Sequence, residues 1–459
     1  MFDLIVQNGI VVTPLRTFKA DIGICNGKIS TIGDKIAGDA KETYDASGKY
    51  VLPGVIDVHT HIDHLGGGAK TNDDFYTGSI SAAYGGVTTF LDFAMQKKGE
   101  DAREAIKRRR AAADGQVVID YGLHSNLTDL NEESFSALES IVEDGYSSFK
   151  LFMTYRKAGF IVEDGVLFAL MEEMSNKGAL VGIHAENDGI CEYLTEKLVK
   201  QGKLSPESHA VSRPVLAEAE CVSRAIMFAE ATNTPLYVFH LSSKKGLDII
   251  CQAKNKGIPV YTETCPHYLT LTAERYKEAE GQNYIMTPPL REQEDIDALW
   301  QGISQGYIQI VSSDHCAFNS EQKAVGKSCF RDVAPGIPGT ETLLPLLYSE
   351  GVCKGRITLN QLVEILAYNP AKIFGLAPEK GLICNGSDAD LAIIDPNREI
   401  VLSKNTIHMA TDYTPYEGMR VKGYPDATIV RGRFVIKDGI FEGSRGFGSF
   451  IKRKKFAIY

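Results

Sequence analysis

The chain has 459 residues, of which 44% are hydrophobic and 24% charged, with a formal net charge of −10. That length accommodates a large barrel, a small companion domain and a sizeable core. The acidic balance argues against a nucleic-acid footprint, and no apolar run approaches the roughly 18 residues of a membrane span.

The N-terminal stretch MFDLIVQNGIVVT reads as a strand. It has neither a basic leader region nor a long apolar one. Residues 1–50 continue with short β-like runs, KADIGICNGKISTIG and KYVLPG, which Gly and Asn punctuate as turns. A different pattern follows over 51–378. Eight apolar runs recur: GVIDVHTH, GVTTFLDFA, VVIDYGLH, SSFKLFM, ALVGIHAE, PLYVFHLS, PVYTETCPH and IQIVSSDH. Amphipathic stretches such as AREAIKRRRAAA, EESFSALESIVED and VLFALMEEMSNKG separate many of them. Continuous apolar strands alternating with helices predict a parallel sheet covered by helices, and eight such units close into a barrel. Residues 379–459 return to β-like runs, DADLAIIDP, REIVLS and DATIVRGRFVIKDGIF. Asp438-Gly439 is the expected hairpin turn. The predicted class is therefore α/β: a (β/α)8 TIM-like barrel with a small β domain assembled from both chain termini, ending in a C-terminal tail.

Two basic clusters, Lys107 to Arg110 and Lys452 to Lys455, are expected to be a solvated face and a tail. Nine cysteines, scattered without a Cys-x-x-Cys pair, fit free thiols in a reducing cytoplasm better than a disulfide framework.

Chemistry in such a barrel sits at the C-terminal ends of the strands. The first run ends in His59 and His61, which share a face in an extended segment. The fourth passes through Lys150, the fifth ends in His184, the sixth in His240 and the eighth in Asp314. One histidine at a strand end is ordinarily a satisfied polar residue. Four with a carboxylate, at independent strand ends facing one mouth, are costly to bury without a ligand. They form a donor set for a borderline divalent metal such as zinc. Lys150 has two readings that both stand at this point. Its neutral amine could react with carbon dioxide to give a carbamate bridging two cations, or the ammonium could pair with an Asp or Glu. His64, His124, His267 and His315 are expected near the ligands without being ligands, and Asp57 behind them. His209 and His408 show no ligand context.

The stretches PGVIDVHTHID, DDFYTGSISAAYGGVTTFLDF, SSFKLFMTY, GIHAEN, HLSS, ETCPHYL, PPLRE, SSDHCAF and GSDADLAIIDP resemble the D-hydantoinase and dihydropyrimidinase family of cyclic amidohydrolases along essentially the whole chain. The resemblance implies a barrel with a β-sandwich (1–50 and 379–459 around 51–378) and a homotetramer. It implies two zinc ions on His59, His61, His184, His240 and Asp314, bridged by N6-carboxylated Lys150. It also implies that Tyr155 contacts the substrate oxygen, that Asp314 is ligand and acid/base, and that the substrate is a small cyclic amide or ureide. Leu65, Phe152 and Phe160 fall in stretches resembling the family's gating loops. Two positions depart from the pattern. Thr287 replaces the usual Ser before PPLR, and Pro335 stands at the usual Asn, keeping a carbonyl but losing an N–H. Both are expected to touch substrate through the backbone. Competing readings are an allantoinase, imidase or dihydroorotase, a metal-free assembly paralogue, and a mononuclear deaminase. The full ligand set opposes the paralogue, and Lys150 is superfluous in the deaminase. Asp63 occupies the position where dihydroorotases characteristically carry Arg.

Overall fold

The computed structural model describes residues 1–66, 68–130 and 132–458; Tyr459, the end of the expected tail, lies outside them. Eight strands form one parallel sheet in chain order. They are β1 (Val55–Thr60), β2 (Val87–Met95), β3 (Asp120–Asn126), β4 (Ser148–Phe152), β5 (Leu180–His184), β6 (Leu236–Val238), β7 (Val260–Thr264) and β8 (Ile310–Val311). Each coincides with one of the eight apolar runs. The first and last strands meet just beyond β8, where the His61 amide donates to the His315 carbonyl (2.7 Å) and Thr60 bridges to His315. The barrel is therefore nearly closed, and its strands are buried on both faces, as parallel strands under a helical coat must be.

Beneath the mouth the barrel is filled by rings. Phe93, Tyr237, Phe239 and Phe374 pack with Ile56, Val58, Leu91 and Leu180. Burying each such side chain stabilises the fold by roughly 1.5–3 kcal/mol. Gly182 on β5 makes room for them: a Cβ there would lie 2.3 Å from the Phe239 ring.

The termini share one nine-stranded sheet. Its seam is the antiparallel pairing of Tyr50–Pro53 with Leu391–Ile394. The expected boundary after residue 50 thus falls within a strand of that sheet, and the barrel's first strand begins at Val55. The hairpin turn lies where the sequence places it, with Asp438 and Gly439 at φ 48° and 75° between paired strands Arg433–Lys437 and Ile440–Phe441. The final segment crosses the barrel floor. The Ile451 amide bonds Tyr121 O and the Phe456 amide bonds Gly178 O.

Both basic clusters are only partly solvated, which corrects the sequence reading. In helix α1 (Ala102–Ala113), Arg109 is buried and bonds Asp92, while Arg453 is buried with Nη2 donating to Leu123 O. Helix phase explains the first: Ala102, Ala105, Ile106, Arg109 and Ala113 form one inward stripe. All nine cysteines are free. Among the described residues no helix is long and apolar enough to cross a membrane.

Candidate metal centre

His59 is the penultimate residue of the fully buried strand β1, and His61 follows two residues later, just past its end. Their Nε2 atoms lie 3.3 Å apart, and Asp314 Oδ1 is 3.1 Å from the first and 3.4 Å from the second. Burial holds both imidazoles well below their usual pKa, with the Lys150 charge adding to it. The Nδ1–H of His59 donates to the buried Glu263 carboxylate, which leaves its Nε2 lone pair facing Asp314. Two neutral-imidazole lone pairs and a carboxylate oxygen therefore converge on one point. Such a set is mutually repulsive until a cation sits among it.

Lys150 comes from the middle of β4. Its Nζ is 3.0 Å from His59 Nε2 and lies over the rings of Phe93 (4.3 Å) and Phe239 (4.7 Å). Burial pushes its pKa down to about 8, against the pull of Asp314 and Glu263. A second histidine pair completes the mouth. His184 and His240 have ring centroids 4.5 Å apart, and His240 stands 5.4 Å from His59. His184 Nε2 is bonded to Glu186 Oε2 (2.8 Å), so Nδ1 is its free nitrogen. His61 Nδ1 and His240 Nδ1 are buried without a hydrogen-bond partner. The converging Nε2 atoms of His59 and His61 and the Asp314 carboxylate, with the second histidine pair beside them, fit one or two divalent ions.

The backbone is strained where the site needs it. Tyr155, His240 and Asp314 have φ of 68°, 36° and 47°, in the left-handed region that non-glycine residues enter uncommonly, Tyr less readily than His or Asp. Asp57 lies behind the ligands and accepts from Ser313 N (3.0 Å), Ser313 Oγ (2.5 Å) and Thr340 Oγ1 (2.9 Å). It fixes the backbone one residue before Asp314.

The mouth opens into a cavity of about 560 Å³. His61, Lys150, His184, His240 and Asp314 line it, together with Tyr155, Thr287 and Pro335. Phe152 and Phe160 line it as well, whereas Leu65 is 72% exposed on a short hairpin. Gly336 holds the Pro335 turn close: at φ 148°, a Cβ there would meet the Cys316 carbonyl at 2.6 Å.

The remaining histidines divide. His124 bonds Ser148 Oγ and Val58 O inside the barrel, and His315 bonds Asp73 and the Gly339 amide. His64 lines the cavity, its ring 5.2 Å from His61. His267 is buried with neither ring nitrogen partnered. His209, which the sequence leaves without context, is in the cavity wall, with Nε2 bonded to Met286 O. His408 bonds Glu341 and stacks on Tyr84. Sequence reasoning missed Glu263, Glu186 and Arg213. Glu186 was findable, since His-x-Glu in an extended segment puts both side chains on one face. Nothing local marks Glu263, which sits 204 positions from the histidine it holds.

The pattern of the amidohydrolase family matches residues 50–435. A D-hydantoinase of Geobacillus stearothermophilus is 42% identical over 98% of this chain and 97% of its own length. One from Ralstonia pickettii is 41% identical over 99% of both. The crystal structure of dihydropyrimidinase from Brevibacillus agri superposes with a TM-score of 0.97 at 42% identity, covering 99% of each chain.

Proposed function

The chain belongs to the amidohydrolase family, and on that premise we propose that it is a cyclic amidohydrolase opening a hydantoin or dihydropyrimidine ring to an N-carbamoyl amino acid. The observation that carries the reading is the convergence of His59, His61 and Asp314 beside Lys150 at the mouth of the barrel, in a chain similar throughout to D-hydantoinases.

His59, His61, His184, His240, Asp314 and a carbamate on Lys150 would hold two divalent ions, zinc by expectation. When bound, the ions supply Lewis acidity that polarises the ring carbonyl and lowers the pKa of the attacking water. The carbamate reading of Lys150 is supported by its burial, its lowered pKa and its nearest polar neighbour being an imidazole. Among the described residues no carboxylate forms an ion pair with it, as the competing reading requires.

Asp314 accepts the proton of the attacking water and delivers it to the departing ring nitrogen. Tyr155 donates its hydroxyl to the developing oxyanion; burial raises its pKa, so it stays protonated. The Thr287 backbone and the Pro335 carbonyl hold the ring amide. Pro335 has no N–H, so it serves only a substrate donor. The homotetramer rests on the resemblance and the cytoplasmic location on the free thiols, while the division into terminal β segments and a central barrel keeps its order with the first boundary moved from 50 to between Pro53 and Val55.

The decisive experiment is a substrate panel on metal-loaded protein: hydantoin, 5-substituted hydantoins, dihydrouracil, allantoin and dihydroorotate. Dihydroorotate needs a cation for its carboxylate, and Asp63 at the expected position instead pairs with Lys70 (2.5 Å). Neutral rings should therefore be hydrolysed with much higher kcat/KM. Dihydroorotate or allantoin as the best substrate overturns the assignment.

A further inference from the structure

Arg213 lines the cavity, its side chain 14% exposed, and pairs with the fully buried Glu186 behind it, Arg213 Nη1 lying 2.7 Å from Glu186 Oε2. The same carboxylate oxygen accepts from His184 Nε2 at 2.8 Å. The Arg213 guanidinium in turn lies over the Tyr155 ring, 5.3 Å from its centroid. One carboxylate–guanidinium pair therefore touches both a candidate metal ligand and the candidate oxyanion donor. These two come from different strand ends, β5 and the segment after β4, and Arg213 itself is held at its carbonyl by Arg291 (2.6 Å).

We propose that Arg213, acting through Glu186, is a positioning residue that couples His184 to Tyr155. On the His184 side, Glu186 fixes the tautomer with Nε2–H outward and Nδ1 toward the metal. Without Arg213 the Glu186 carboxylate loses the partner that fixes its orientation, and the ring it holds is free to tilt. On the other side, the guanidinium approaches the phenol ring as a cation over its face, 5.3 Å from the centroid, a contact that helps hold a residue at φ 68° whose backbone does not favour the conformation. The guanidinium matters, since it must face the ring while one edge donates to Glu186. The inference rests on the proposed binuclear hydrolase, and its test is arranged to separate the two.

The variants are Arg213→Met, Arg213→Lys and Glu186→Gln, alone and in a Tyr155→Phe background, with far-UV circular dichroism as the folding control. The first readout is zinc affinity by competition with a chromogenic chelator, which needs no turnover. Arg213→Met should weaken the looser-bound zinc by about tenfold, the lower end of the range for losing the group directly behind a ligand, since Arg213 acts one contact further out. The second is the kcat-against-KM split at saturating zinc on whichever ring the panel identifies. Arg213→Met should lower kcat at least about tenfold with little change in KM, and its effect should shrink when Tyr155 is already Phe, because contacting residues are non-additive. Arg213→Lys should recover part of the zinc affinity and little of kcat. Should Arg213→Met not fold, Glu186→Gln decides by the same two readouts. Unchanged zinc affinity, or kcat losses that simply multiply with those of Tyr155→Phe, overturns the coupling. A wild-type protein inactive on every ring defeats the functional reading instead, and leaves the zinc arm to judge His184.

Discussion

Lys150 and Lys323 are both buried, yet chemistry separates them. Lys150 opens onto the cavity beside three ligand candidates. Replacing it by Ala should abolish the binuclear centre and nearly all activity, and added short-chain carboxylic acids should restore part by supplying bridging oxygens. Metal analysis and turnover measure this, and an unmodified lysine in fully active two-metal protein refutes it. Lys323 donates to Ile285 O (2.6 Å), and burial pushes its pKa down to about 7 from an ordinary 10.5. Between those two values the unfolded chain binds more protons than the folded one, so this group makes stability rise with pH across the window. The penalty is fullest at and below pH 7 and vanishes above about 10.5. Lys323→Met removes it and loses one pH-independent hydrogen bond. The variant's stability relative to wild type should therefore be more favourable at pH 6.5 than at pH 9.5 in urea melts; equal or reversed differences refute the assignment. At this scale the ligand candidates were legible because histidines at strand ends stand out against apolar runs. The left-handed backbone at His240 and Asp314 was not, since neither residue type announces it.

Elements carried their own signals unevenly. The barrel strands were readable as runs buried on both faces, and α1 as an amphipathic stretch. Which of its arginines turns inward follows from helix phase, yet a cluster such as KRRR suggests solvent. Arg109 sends Nε to Asp92 Oδ1 (2.8 Å) and Nη1 to Asp63 O (2.9 Å), with Nη2 on Ile62 O. The helix thereby clamps the turn that leaves β1 just after His61. Arg109→Met keeps most of the packing volume but strands the buried Asp92 carboxylate. It should cost about 3–5 kcal/mol, as breaking one side of a buried pair does. Lys107→Ala, on the exposed face of the same helix, should stay within about 0.5 kcal/mol. Chemical denaturation of both variants measures the contrast, and similar small effects would mean Arg109 is not the clamp.

Across the whole molecule, the parts that sequence left hidden are joins between distant segments. Lys380 is buried among Asp120 (2.6 Å), Asp390 (2.6 Å) and Asp388 (3.0 Å), tying the start of β3 to the terminal sheet. No periodicity or spacing marks a contact 260 positions apart. The candidate ligands are joins of the same kind: they come from β1, β4, β5 and the segments after β6 and β8, which circle most of the barrel. Without a cation these groups oppose one another, because their lone pairs converge and burial keeps the imidazoles neutral. An ion held there binds the folded barrel and not the dispersed strands, so it must stabilise the fold by mass action. At a free concentration a thousandfold above Kd the gain is about 4 kcal/mol. Removing metal with a chelator should therefore lower Tm, and readdition of zinc should restore it in proportion to the logarithm of its concentration. In His59→Ala the zinc-dependent rise should be largely absent, because that ring touches both Asp314 and Lys150. A Tm indifferent to chelation, with elemental analysis showing that metal was bound and then removed, would mean that these strand ends do not share an ion.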